Sequence, residues 1–410
     1  MLTNKLGSKK LKKGKVYKYL YIDKFLYSSL YVHLDQNLLS LIYFLFFRGN
    51  PFNFLDRKTN SHFVNFFKPI VRLIRVGQFI YLIYRKKILY YKNQDSSLIK
   101  SSSYLGHILI EATQGEFKII NFREKSVLTV FPENYPINKI EEKIFKLKEA
   151  QKCKLSSKIL DWNIDERYMR ESYLNLKTSA FDFNDLNKFY SEILPILRDI
   201  ILSDTYQEIL LSQYFQDVLN KIREIFESFL KEGFYLENSL TNIWDFILSL
   251  NEKIGKNLKS VILLGFSHGD FWEGNILKSK NQTKVIDWNT LEKRNYFFDF
   301  YFITFYNTFY KVSNMVEKDV YVLSKEIDLA FNRFISDYLD DTFCNSVFNE
   351  DLTDSDIYRY LYYLEFILLE LQVNPLKDQS FFTYLDSKIN FFKFYENVKS
   401  GERFSDSQVE

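Results

Sequence analysis

Residues 261–289, VILLGFSHGDFWEGNILKSKNQTKVIDWN, decide how the rest of the chain is read. An apolar strand at 261–264 runs into the loop His268-Gly269-Asp270. Asn275 follows five residues after Asp270. Ile276 and Leu277 begin a short strand, 279–282 turn, 283–286 return, and Asp287 ends the second strand. Asn275 and Asp287 are equidistant from Asn281. An antiparallel hairpin centred there sets them opposite each other, with Cα atoms ~4.5–5.5 Å apart. A carboxamide oxygen and a carboxylate at its open end are hard donors. Mg²⁺ accepts such donors while keeping water and phosphate oxygens. Asp270 lies on the loop entering the same end, where a carboxylate can take a proton from an attacking hydroxyl. One base and two oxygen ligands suit phosphoryl transfer, in which positioning and charge neutralisation supply most of the rate.

Upstream, the pattern from about residue 104 is one of short strands, at 106–112, 117–122 and 127–131. The turn Thr113-Gln114-Gly115-Glu116 separates the first two, which is a hairpin signal. Ile137, Ile140, Ile144 and Leu147 then recur at helical spacing, predicting a helix over 137–150. Residues 158–176 return to extended structure. Three strands, a helix and further strands make a small α+β lobe. After about residue 182 helices dominate. The apolar stripe from Leu211 to Leu230 is core, with Gly233 placed to cap its helix. Residues 299–394 are again helical and aromatic, and the polar tail 400–410 reads as disordered.

Composition narrows the setting. Of 410 residues, 46% are apolar and 26% charged, ordinary for a soluble globular chain. Two cysteines, Cys153 and Cys344, supply neither a disulfide framework nor a thiol metal site, and a reducing cytosol is the simplest home. Four histidines do not cluster at zinc-ligand spacing. The net charge of +3 hides an asymmetry: residues 1–100 carry 19 Lys/Arg against 4 Asp/Glu, a net +15, leaving −12 for the remainder. Within that basic region, residues 69–84 (PIVRLIRVGQFIYLIY) are amphipathic, with Arg72 and Arg75 near one side and Arg85, Lys86 and Lys87 following. The segment reads as an extra structural layer, as a patch for an anionic membrane surface or ligand, or, least favoured, as a nucleic-acid surface of interleaved aromatic and basic residues. The most apolar run, 38–47, is too short to span a bilayer, which takes ~20 residues. Neither cleavage nor export is expected.

The loop HGDFWEGN resembles the catalytic loop of aminoglycoside phosphotransferases and choline/ethanolamine kinases, which runs His-x-Asp-x-x-x-x-Asn within a protein-kinase-like fold. VIDWN is similar to their second metal-binding strand end, and Phe298-Asp299-Phe300 to the later Asp that braces the loop. The resemblance extends over 104–395, with its specific part at 268–300. It implies Asp270 as catalytic base, Asn275 and Asp287 as magnesium ligands, and His268 and Asp299 as loop supports. Gly269 and Trp272 stand where protein kinases carry Arg and Lys, favouring a small-molecule acceptor.

The N-terminal lobe departs from the pattern. Such a lobe places a basic residue on its third strand to grip phosphates and pair with a helix Glu. Residues 127–131 have none. Lys118 and Arg123 are the available substitutes, with Glu141 or Glu142 as the helix partner. The glycine-rich loop is reduced to Gly115.

The expected architecture is therefore α+β: a two-lobed, protein-kinase-like fold. A basic aromatic extension (1–100) precedes a small β-rich N-lobe (101–178) and a large helical C-lobe (179–399). The expected cofactors are ATP or another NTP, with Mg²⁺. The partner is a small-molecule hydroxyl acceptor, a sugar, aminoglycoside-like compound or amino alcohol; the acidic C-terminal half suits a cationic one. No nucleic acid is expected. Two alternatives stay open: a nucleotide-binding pseudokinase scaffold, and a cytoplasmic kinase held at a membrane by residues 1–100 that acts on a lipid head group or envelope glycan precursor.

Overall fold

The computed structural model describes residues 17–25, 28–52, 55, 67–92, 98–101, 105–112, 115–179, 181, 183, 185–231, 237–255, 258–312, 317–339, 355–373 and 379–400. The lysine-rich start, Thr113 and Gln114 of the expected turn, Gly233, Cys344 and residues 401–410 lie outside them. The chain divides into two compact units. The first holds residues 1–151, 155–179 and 274–289; the second holds 152–154, 180–273 and 290–410.

The first unit opens with strands β1 (Tyr17–Phe25) and β2 (Ser28–His33), and helices α1 (Leu38–Arg48) and α2 (Lys68–Tyr91). Strands β3 (Leu98–Ser101), β4 (Ile108–Glu111), β5 (Phe117–Asn121) and β6 (Ser126–Val130) follow. Helix α3 (Ile137–Ala150), then β7 (Ile159–Asn163), β8 (Tyr168–Ser172) and the short β9 (Lys177–Thr178) complete this stretch. The strands β1 to β8 form one antiparallel sheet in the order β3-β1-β2-β4-β5-β6-β8-β7. The boundary expected near residue 100 thus corresponds to no break in the sheet. The described residues of 17–101 add three strands to the lobe and bury part of their apolar surface with it. Ile22, Leu30 and Val32 share one core with Leu41, Leu45, Val76 and Phe79 of the two helices and with Ile108, Ile120 and Phe122.

Local chemistry fixes these helices. Asn37 caps α1, its Oδ1 accepting from the Leu39 and Ser40 amides. Arg72, buried on α2, donates to the Leu45 carbonyl at 2.9 Å. It therefore faces inward, which favours the structural-layer reading at this residue. Helix α3 buries Ile140, Ile144 and Leu147 against Phe131 and Met169.

The second unit begins its regular structure with α4 (Leu186–Ile201), β10 (Gln207–Leu210), α5 (Leu211–Lys231), α6 (Glu237–Ile254) and β11 (Val261–Ser267). The chain then enters the first unit for the hairpin β12 (Ile276–Lys278) and β13 (Thr283–Val285), where β12 also pairs with β9. It returns with β14 (Glu292–Asn295), α7 (Phe298–Val312), α8 (Glu317–Tyr338), α9 (Ser355–Val373) and α10 (Gln379–Ser400). Strand β11 is central in the sheet β10-β11-β14. Gly265 is required there, because a Cβ would sit 2.6 Å from the Tyr296 ring. The helical core is aromatic and holds a buried ion pair, Arg359 Nε donating to Glu396 Oε1 at 2.6 Å. Among the described residues, no helix is long and apolar enough to cross a membrane. The fold is α+β, strand-rich in its N-terminal part and helical in its C-terminal part.

Candidate active site

The candidate residues fall into two groups, one in each unit. In the second unit, β11 delivers His268, Gly269 and Asp270 to a loop held by α7. The Asp299 carboxylate, buried at the start of α7, accepts from the His268 amide at 2.7 Å, the Gly269 amide at 2.9 Å and Ser267 Oγ at 3.1 Å. His268 is wholly buried. Its Nδ1 accepts from the Asp270 amide at 3.2 Å, and its carbonyl accepts from Thr290 Oγ1 at 2.8 Å. Gly269 has a left-handed φ of 82°. A Cβ there would lie 2.6 Å from the Thr290 carbonyl oxygen and 2.7 Å from Arg294 Nη1. Only glycine satisfies both constraints. Trp272 packs against Tyr306, with ring centroids 5.4 Å apart. Asp270 lines a cavity among aromatic side chains of α7, α9 and α10.

In the first unit the hairpin carries Asn275 and Asp287. Its register differs from the expected one by a residue. Ile276 pairs with Val285 and Lys278 with Thr283, and the Ile286 amide donates to the Asn275 carbonyl at 3.0 Å. The mirror point therefore falls between Lys280 and Asn281, not on Asn281. The Ser279 amide donates to the Gln282 carbonyl at 2.8 Å, closing a two-residue turn, the favoured hairpin loop. Asp287 lies one residue beyond the position opposite Asn275. Its backbone turns left-handed there, with φ 68°, and Asn289 Nδ2 donates to its Oδ1. Asn275 is buried, while the Asp287 side chain is 37% exposed. Trp288 is core, its Nε1 donating to the Val285 carbonyl.

Lys118 reaches Asp287 from β5, Nζ to Oδ1 at 3.8 Å. The Asp287 charge raises its pKa above the usual lysine value, outweighing its desolvation. Arg123, the other substitute, is exposed in the turn after β5. Glu141 and Glu142 do not meet Lys118. Glu141 is exposed, and Glu142 pairs with Lys139 and Lys146 of its own helix. Helix α3 instead contributes a cation to a strand-side anion: Lys143 Nζ lies 2.6 Å from Glu116 Oε1, both buried. Burial lowers the Lys143 pKa, and Glu116 offsets part of that. Glu116 Oε2, also buried, has no hydrogen-bond partner. Gly115, the residue before, holds φ 90° in a turn closed by its amide and the Ala112 carbonyl. The sequence reading missed this pair. A signal for it existed, because Lys143 stands at i+3 from Ile140, within the apolar stripe where a charge needs a partner.

No family model matches the chain, and no curated protein matches it. Solved structures that are similar include a choline kinase from Streptococcus pneumoniae, at 12% identity over 70% of this chain and 89% of that one, with a TM-score of 0.40. An ethanolamine kinase of Plasmodium vivax shows 15% identity over 71% and 82%, with a TM-score of 0.45. A choline kinase from Cryptosporidium parvum shows 13% identity over 75% and 91%, with a TM-score of 0.43. Each is a small-molecule kinase by name, and the likeness is distant.

Proposed function

We propose that the chain is a phosphotransferase moving the terminal phosphoryl group of ATP, or another nucleoside triphosphate, to a hydroxyl of a small molecule. The observation that carries this reading is Asp287. It stands two residues after a hairpin strand, in a left-handed turn, with a lysine ammonium 3.8 Å away and a buried Asn275 just before the partner strand. Asp270, five residues before Asn275, is the base. It accepts the acceptor's proton as the new O–P bond forms and the bond from the terminal phosphorus to the departing nucleoside diphosphate breaks, from a loop fixed by Asp299 and His268. Lys118, with Lys143 and Glu116 behind it, supplies the positive charge for the phosphates that the sixth strand lacks.

Asn275 Oδ1 and an Asp287 carboxylate oxygen would hold Mg²⁺. Among the described residues no group of three or more His, Cys, Asp or Glu could hold a metal ion. Two protein oxygens, with phosphate and water completing the shell, fit magnesium's habit. When bound, the ion neutralises charge on the phosphates.

The test is turnover with Mg-ATP across hydroxyl acceptors, for wild type and Asp270→Asn. The variant should lose roughly 100-fold or more in kcat, and Lys118→Met should raise the KM for ATP. Equal rates for wild type and Asp270→Asn would remove the base assignment. Wild type that binds Mg-ATP by thermal shift and transfers nothing would make the chain a nucleotide-binding scaffold.

We infer separately that α2 is a peripheral contact for an anionic membrane. Leu73, Ile74, Tyr81 and Tyr84 are exposed on it, as is Arg85, with Arg75 half-buried. Apolar area beside basic charge suits an interfacial helix. Wild type should co-sediment with phosphatidylserine vesicles and release in salt, and Leu73→Asp/Tyr81→Asp should stay in solution. Equal sedimentation would remove the idea.

A further inference from the structure

The cavity beside Asp270 already contains a cation of its own. It measures about 130 Å³ and is lined by Phe302, Tyr306, Tyr362, Phe366 and Glu370 as well as Asp270. One water needs at least roughly 10–15 Å³ of such space, so the cavity has room for a small ligand or several waters. Lys388, also on the wall, reaches into an aromatic box from α10. Its Nζ lies 3.4 Å from the centroid of the Phe309 ring, 5.5 Å from Tyr384 and 5.9 Å from Tyr306. Rings at these distances attract an ammonium through their quadrupoles, which is how aromatic cages bind quaternary amines. Here the ring faces are engaged by the chain's own lysine. Glu370 lies on the same wall, its Oε1 accepting from Tyr384 at 3.3 Å.

From this we infer that the cavity takes an uncharged polyhydroxyl ring, a sugar or cyclitol, and rejects amines. The inference rests on the reading of Asp270 as base only for which hydroxyl reacts; the choice of ligand rests on the cavity itself. Its chemistry is that of polyol recognition. Rings offer stacking faces to C–H groups, an ammonium offers donors, and a carboxyl and tyrosine hydroxyls offer acceptors. An amine entering the aromatic box would meet the Lys388 ammonium at close range, and like charges repel. Burial pushes the Lys388 ammonium down to about 8 and the Glu370 carboxyl up to about 7. The negative charge of residues 101–410 suggested a cationic acceptor; at the cavity itself the wall carries an ammonium, Lys388, beside the carboxyl groups of Asp270 and Glu370.

The experiment measures binding and turnover separately on the full chain. Saturation-transfer NMR compares tetramethylammonium with a set of neutral monosaccharides and inositols, on wild type and on Lys388→Ala. Wild type should bind at least one polyol and show no tetramethylammonium signal. Lys388→Ala, with the box vacated, should gain tetramethylammonium binding at least tenfold and lose polyol affinity at least tenfold. Tetramethylammonium binding by wild type overturns the inference, whether or not the variant folds. So does turnover of an amino alcohol in preference to neutral polyols, which leaves the reaction class standing. Polyol binding without any phosphoryl transfer supports the cavity inference and overturns the reaction class.

Discussion

At the scale of single residues, two left-handed backbones govern the candidate site, and they make different demands. Gly269 has φ 82° and no room for a Cβ. Gly269→Ala adds a strained backbone to a steric collision with backbone and guanidinium. It should lower the unfolding free energy by about 2–3 kcal/mol and displace Asp270; urea midpoints and kcat measure the two effects. Asp287 has φ 68°, a region that Asn also visits readily. Asp287→Asn should therefore keep stability within about 0.5 kcal/mol, because its half-exposed pairing with Lys118 is worth little. Asp287→Ala should cost about 1–2 kcal/mol more. Both should lose roughly 100-fold or more in kcat. Equal stability of the two variants would remove the backbone argument, and full turnover by Asp287→Asn would remove the ligand role. Asp270, Asn275 and Asp287 were legible as candidates because their spacing and strand context are local. Glu116 and Lys143 were not, because their pairing joins a strand edge to a helix 27 residues on. Only the misplaced charge within the apolar stripe of α3 marks it in the sequence.

Elements show how periodicity both reveals and hides structure. Helix α3 occupies Ile137–Ala150, the span its 3.6-residue stripe predicts, because one face is buried and the other wet. Strands β1 and β2 were hidden because both their faces are apolar. Tyr19 and Tyr31 pack on one side with Leu109 and Ile119, while Ile22, Leu30 and Val32 pack on the other beneath α1 and α2. Without alternation, a strand in an aromatic-rich chain carries no period of two. Hairpin register was fixed by the even turn, which a count about Asn281 could not show. The layer between helices and sheet also predicts a pH response. His107 meets Phe44 edge to face, with ring centroids 4.8 Å apart, and its Nδ1 accepts from the Phe122 amide at 3.2 Å. Burial lowers its pKa from 6.5 to about 4, with His33 adding to the effect. The unfolded chain then binds more protons between pH 4 and 6.5, so His107 contributes stability that is present above 6.5 and lost as pH falls through 4. His107→Gln should flatten the wild-type stability slope across that window in urea titrations. An unchanged slope would show that His107 is not the group responsible.

For the whole molecule, the path of the chain matters more than the lobe boundaries read from sequence. The first unit includes residues 274–289, which the chain reaches only after building much of the second. Strand β12 pairs Leu277 with Thr178 and Lys278 with Lys177. The Val285 amide donates to the Leu155 carbonyl at 2.8 Å, and Lys284 Nζ to the Ser156 carbonyl at 3.0 Å. A fragment ending at residue 179 thus keeps all eight strands of the large sheet but leaves β9 and residues 155–156 without these partners. Unpaired backbone there costs more than a lost side-chain contact, because each orphaned group must find water or remain buried. Residues 17–179 alone should melt at lower temperature and with less cooperativity than the same fragment fused by a short linker to residues 274–289. Circular dichroism and calorimetry on the two fragments make the comparison. A matching melt would mean that the hairpin is a guest on a unit already stable without it. A gain on fusion would mean that the segment carrying Asn275 and Asp287 helps fold the unit that presents Lys118. Ligand-bearing residues and lobe stability would then be inseparable, and variants of β12 or β13 would lose structure and activity together.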